Sequence, residues 1–172
     1  MSRRGLLLTM TEPPPALEEE FNAWYDDEHM DERLAIPGFR SARRWVADVA
    51  PGEGKYLATY ELDSLAVLTS AAYLARFQNQ TPWSRRCLGR AVVFKRWACE
   101  QVDPGSADPH AAAKFLLCVI AAAPVALSLP AALQVRRFVA TSGTPSHITL
   151  AELPLPPANV DPSMRLYRAY AP

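Results

Sequence analysis

The chain has 172 residues, 49% of them hydrophobic, and its 18 Lys and Arg residues balance 18 Asp and Glu residues. That apolar content excludes a disordered chain and suffices for one ordinary domain or two very small ones. With no net charge and no basic stripe, the electrostatic footprint of a nucleic-acid or anionic-membrane binder is missing, so neither partner is expected.

Along the chain, the first strand-like run is Leu6 to Met10, closed by Pro13-Pro14-Pro15. Its apolar stretch is too short for a signal-peptide core. A helical run follows from Leu17 to Ala35 and is stopped by Pro37-Gly38. Strands are expected over Ser41 to Val49 and Lys55 to Leu62, joined by the turn Pro51-Gly52-Glu53-Gly54 as a hairpin. A second helical run covers about Ser64 to Phe77, and an aromatic and β-branched run, Ala91 to Cys99, closes the unit. The order βαββαβ is that of a ferredoxin-like fold.

The chain then repeats itself. Gly5 to Met10 is echoed by Phe115 to Ile120, Ala42-Arg-Arg-Trp-Val-Ala47 by Val135-Arg-Arg-Phe-Val-Ala140, Ala58 to Leu62 by Thr149 to Leu153, and Phe94 to Trp97 by Leu166 to Ala169. Four echoes in one order predict two tandem α+β halves: residues 1–102, a linker at 103–112 around Asp103-Pro-Gly-Ser-Ala-Asp-Pro109, and residues 113–172. In the second half one helix is expected to shrink to about Pro124 to Ala131, and the other is nearly replaced by Pro154-Leu-Pro-Pro157 and Asp161-Pro162. A four-stranded sheet with helices on one face leaves the other bare. Two such sheets packed face to face would bury both in a barrel-like core, giving a monomer with an internal pseudo-dimer or a homodimer. One equipped pocket is expected, in the first half.

Phe115 to Val135 carries no charge and is long enough for a membrane span. Pro124, Pro130 and the repeat argue instead for a strand followed by an apolar connection. The cysteines Cys87, Cys99 and Cys118 show no CxxC spacing. They read as buried thiols of a reducing cytoplasm, with no disulfide framework and no metal site.

The first helix carries an anomaly. Stepping about 100° per residue, Leu17, Phe21, Trp24 and Tyr25 share one face, yet Glu28 falls in the middle of it and His29 at its rim. A carboxylate in an apolar environment holds its proton more tightly unless a cation meets it. Arg40, Arg43, Arg44, Lys95 and Arg96 on neighbouring strands are candidate cations. Structural alternatives are a pair between Glu28 and Arg33, a break near His29, and plain core packing of Trp24 and Tyr25. His110 and His147 read as structural. No GxSxG, HExxH or Gly-rich phosphate loop is present.

Glu20-Phe-Asn-Ala-Trp-Tyr-Asp-Asp-Glu-His29, with Ile36-Pro-Gly-Phe39 and Ala42-Arg-Arg-Trp45, resembles the dimeric α/β-barrel superfamily, most of all its EthD-like members, over about residues 4–100. The resemblance implies ferredoxin-like units joined sheet to sheet, with a small apolar or aromatic molecule bound between sheet and helices. It also implies a cavity-facing helix histidine at His29 as the catalytic candidate. Relatives often have a proline just after that histidine, where this chain has Met30-Asp31, so its helix is expected to run on.

On this reading the protein is a cofactor-independent enzyme acting on a small apolar or aromatic biosynthetic intermediate, of cyclase, dehydratase, isomerase or decarboxylase type. His29 is the general base near neutral pKa, Glu28 orients it or serves as acid, and Tyr25 supports an oxyanion. Trp24, Phe21, Arg44 and Arg96 are the candidate substrate contacts. The alternatives are a cofactor-free monooxygenase, a haem-binding protein using Asn22, Trp24 and His29, and a non-catalytic binding module.

Overall fold

A computed structural model describes residues 3–172. The first half supplies β1 (Gly5–Glu12), β2 (Phe39–Val46), β3 (Tyr56–Leu62) and β4 (Val93–Asp103). The second supplies β5 (Phe115–Ala121), β6 (Gln134–Ser142), β7 (His147–Leu153) and β8 (Arg165–Ala169). All neighbours are antiparallel, and the eight strands close in the order β1-β3-β2-β8-β5-β7-β6-β4. Within each half the order is fourth, first, third, second, the ferredoxin-like arrangement. The second strand of each half pairs with the fourth strand of the other, through β2·β8 and β4·β6. The four sequence echoes fall on β1/β5, β2/β6, β3/β7 and β4/β8, so the repeat is a pseudo-twofold of the barrel.

Alternation along the strands divides the chain into an inner and an outer core. Leu6, Leu8 and Met10 of β1 point into the barrel with Trp45, Leu57, Trp97, Leu116, Phe138 and Leu150. Leu7 and the outward residues of β3 (Tyr56, Ala58, Tyr60, Leu62) form a second core under the first-half helices. Both faces of β1 and β3 are therefore buried, which is why these strands read as nearly unbroken apolar runs.

The barrel interior also holds a charged layer. Arg136 Nη1 and Nη2 donate to Glu61 Oε2 and Oε1, each at 2.9 Å, and its Nε donates to Glu152 Oε1 at 2.8 Å. All three side chains are almost fully buried. The echoes align Arg43 with Arg136 and Glu61 with Glu152, so the layer sits on repeat-related positions. Arg43 has taken another partner and donates to the Ala113 carbonyl at 2.6 Å.

Several elements differ from expectation. The first helical run is not one α-helix. It comprises a 3-10 turn (Pro15–Leu17), α1 (Glu18–Trp24), a π-turn (Tyr25–His29) and α2 (Met30–Leu34). It does continue past His29, as the missing proline implied. Gly38 ends the region with φ +93°, and a Cβ there would lie 2.4 Å from Val67 Cγ2, so the close approach of this turn requires glycine. The second helical run is a 3-10 turn (Leu65–Thr69) and α3 (Ala71–Gln78). A further helix, α4 (Pro82–Gly89), went unread, although Thr81-Pro82 is an N-cap followed by proline at the first helical position.

The expected short helix at Pro124 to Ala131 does not form. That stretch is irregular, because two prolines in eight residues deny it a continuous hydrogen-bond ladder. Leu127 and Leu129 still cover Leu117, Ala151 and Leu153 on the outer face of the second half. The charge-free segment becomes β5 and this connection, and no helix among the described residues is long and apolar enough to cross a membrane.

Candidate functional site

The π-turn shapes the site. Met30 N–H donates to the Tyr25 carbonyl, five residues back, so one extra residue is accommodated in that turn. The wider turn brings both Tyr25 and His29 onto the sheet side, 2% and 6% exposed. It also turns Glu28 away from the position that uniform α-helical stepping assigns it. Glu28 Oε1 accepts hydrogen bonds from Thr81 Oγ1 and from Ser84 Oγ, the latter at 3.2 Å. Thr81 is the N-cap of α4, and Ser84 Oγ in turn accepts from Trp24 Nε1 at 3.1 Å. Glu28 and Trp24 thus fasten the first helical run to α4.

Between the outer face of the sheet and the helices lies a cavity of about 560 Å³. Leu7, Thr9 and Tyr60 form its floor, and Tyr25, His29 and Arg33 line one side. Tyr73 and Phe77 of α3, Leu88 of α4, and Phe94 and Arg96 of β4 line the other. Its walls are largely aromatic and aliphatic, and its ionic lining is Arg33, Arg85 and Arg96 with no Asp or Glu.

Among the described residues, four buried side-chain polar atoms have no hydrogen-bond partner, and three of them belong to residues that line this cavity: Thr9 Oγ1, His29 Nδ1 and Arg33 Nη1. Such groups are costly in a folded protein and ordinarily satisfied. That three of these four atoms sit on residues lining one cavity makes it the candidate site.

His29 stands in an aromatic cage. Its ring centroid is 4.4 Å from Trp24, 5.0 Å from Tyr25 and 6.3 Å from Tyr60. Burial, then the charges of Arg33 and Arg44, push its pKa down to about 3. His29 is accordingly a neutral imidazole across the neutral range, not the half-protonated group expected from its type. Tyr60 donates to the Tyr25 hydroxyl at 3.4 Å, and burial raises the Tyr60 pKa well above its ordinary value, so this phenol also stays neutral. Arg96 Nη2 donates to the Tyr73 hydroxyl at 3.1 Å, and the Arg33 guanidinium lies 5.6 Å from the same ring.

The residues singled out from sequence divide accordingly. His29, Tyr25 and Arg96 line the cavity. Phe21 and Trp24 stand behind it, packed edge-on to Tyr25 at 5.2 and 4.9 Å. Glu28 faces α4. Arg44 lies beyond Tyr25, paired with Asp26 Oδ1 at 2.9 Å and Asn22 Oδ1 at 2.6 Å, with its guanidinium 4.0 Å from the Tyr170 ring and 4.3 Å from that of Tyr25. It ties α1 to β2 and the C-terminal segment.

Arg33, Thr9, Tyr60 and Tyr73 were not read as site residues. The available signal was the pattern Leu-Thr-Met-Thr in β1, whose alternation must turn Thr9 to the same face as Leu7. A second opening, about 440 Å³, lies at one end of the barrel beside Lys95, Trp97, Cys118 and Arg165. It holds none of the unpartnered buried atoms, and burial pushes the Cys118 thiol up to about 12, so that sulfur is no nucleophile.

No family model matches the chain, and no curated protein matches it. Two of the solved structures that resemble it do so along nearly its whole length. One is an anthrone oxidase-like protein, with a TM-score of 0.63 and 10% identity over 99% of this chain and 92% of that one. The other is a chlorite dismutase-like protein, with a TM-score of 0.56 and 10% identity over 99% and 96%. At this identity the likeness shows the fold alone: a dimeric α/β-barrel-like architecture, here closed within one chain. It does not single out the EthD-like members.

Proposed function

We propose that the protein is an enzyme that removes a proton from a small, largely apolar or aromatic molecule held in the cavity between the first-half helices and the sheet. The observation that carries this reading is that three buried, unpartnered side-chain atoms, Thr9 Oγ1, His29 Nδ1 and Arg33 Nη1, belong to residues that line one aromatic-walled space. His29 is the proton acceptor. Because it is neutral in the ligand-free protein, it is always in the accepting form, but its low proton affinity makes it a weak base alone. An anion forming beside Arg33 would cancel part of the charge that holds the imidazole down, so proton transfer and anion pairing reinforce each other.

Tyr25 supplies its hydroxyl to a developing oxyanion, and Tyr60 donates to the Tyr25 oxygen behind it. Trp24 acts from behind, fixing the plane of the imidazole. Enolisation of this kind is a common first step of isomerisation, dehydration and cyclisation, and a decarboxylation would reach the same enolate by losing carbon dioxide in place of the proton. A second reading, cofactor-free oxygenation of the anion so formed, draws support from the likeness to the anthrone oxidase-like structure; oxygen uptake distinguishes it. A Soret band in the purified protein would instead favour haem binding.

The test is solvent deuterium exchange at the acidic carbon of 2-tetralone, followed by proton NMR in D₂O. The intact protein is expected to accelerate exchange, and His29→Gln to lower the acceleration by roughly 10²–10⁴-fold, the scale for losing a general base. Equal exchange in the two proteins would remove His29 from the chemistry.

A further inference from the structure

We infer that the ligand of this cavity carries a permanent negative charge: it is an aromatic or similarly flat apolar molecule bearing a carboxylate, held between Arg33, Arg96 and Thr9. The inference rests on the reading of this cavity as the working site and adds the chemical class of what enters it.

The lining has three guanidinium groups and no carboxylate. Arg85 is exposed and donates to the Gln80 carbonyl, so it is served by backbone and solvent. Arg33 is different. It is 9% exposed, and its Nη1 has no partner, although burying a guanidinium without an acceptor is among the more costly arrangements a fold can keep. A charge that appears only during turnover leaves that cost standing in the resting complex. A permanent anion removes it on binding.

Geometry gathers the donors at one end. Thr9 and Arg96 are directly opposite in the β1·β4 ladder, so both side chains rise from neighbouring points on the same outward face. Arg96 and Arg33 both meet Tyr73, one through its hydroxyl and the other beside its ring. Two guanidinium groups and a hydroxyl at one end of the cavity match the acceptor capacity of a carboxylate. Elsewhere the cavity offers surfaces for a ring: Phe77 and Phe94, each more than half exposed, form an apolar rim, with Leu88 beside them.

Isothermal titration of the full chain with 2-naphthoate, against its neutral isostere 2-naphthamide, tests this. Naphthoate is expected to bind at least about tenfold more tightly than the amide. Arg33→Met is expected to abolish the preference and Arg96→Met to reduce it, each weakening naphthoate more than the amide. Arg96 is only half-buried, so its variant remains informative if Arg33→Met folds poorly. Amide binding as tight as naphthoate would overturn the inference and leave the cavity a site for neutral molecules. Naphthoate binding unchanged in both variants would also overturn it, placing the anion elsewhere. Failure of both probes to bind would overturn the cavity reading as well.

Discussion

Glu28 accepts a hydrogen bond from the hydroxyl of Thr81, and the same hydroxyl caps α4 by accepting the Ser84 amide at 2.9 Å. One threonine therefore serves two helices, and the carboxylate in front of it is a fastening, not a pocket acid. Glu28→Ala and Thr81→Ala are each expected to cost about 1–2 kcal/mol, the range for a lost cap or a charge-assisted hydrogen bond. Because both remove the same contact, the double variant should lose less than the sum of the two. Denaturant midpoints measure this. A Glu28→Ala protein of unchanged stability that has lost turnover would return Glu28 to the chemistry.

Acid should loosen the fold through His29. Its pKa is about 3 when folded, against an ordinary 6.5. Between these values the unfolded chain binds a proton that the native state refuses. Stability therefore falls as pH drops from about 6.5 towards 3, by up to about 1.4 kcal/mol per pH unit from this residue. Above that window His29 contributes no slope. Thermal melts across the range are expected to show a shallower decline in His29→Gln, and parallel declines in the two proteins would mean that the imidazole is not held neutral.

Arg136→Met should be the most damaging change in the barrel interior, because it leaves Glu61 and Glu152 buried without their cation. The expected loss is about 3–5 kcal/mol. It should be smaller in mild acid, since burial already raises the pKa of Glu61 and protonation would relieve it. Replacing all three residues by apolar ones of similar volume should recover much of the loss. Melts of the single and triple variants at two pH values decide it.

The strands and their order were legible because four echoes preserved both residue types and alternation, and Arg43-Arg44 against Arg136-Arg137 aligned the halves to the residue. The helices were less so. Stepping at a fixed angle presumes an α-helix, and nothing in Tyr25-Asp-Asp-Glu-His29 announces a π-turn, so Glu28 was assigned to the wrong face while Tyr25 and His29 kept theirs. Arg33 was weighed only as a partner for Glu28, because its burial depends on α3 packing over it from more than thirty-five residues away. Arg44 was expected near the ligand as one of the cations on strands neighbouring the first helix. The structure instead surrounds it with Asn22, Asp26 and Tyr170, the last contributed by the far end of the chain.

The closure of β2 on β8 and of β4 on β6 has a consequence for how this protein can change. In a barrel assembled from two identical subunits, every substitution is made twice, and each must be tolerated in both settings at once. Here the two copies are spelled separately. Arg43 could leave the buried ion cluster while Arg136 stayed, and prolines could replace helices over one sheet while the other kept its roof. With the ligand held under the first-half helices, as proposed, the second half would be released from ligand duty and serve as a buttress, free to drift wherever it still completes the wall.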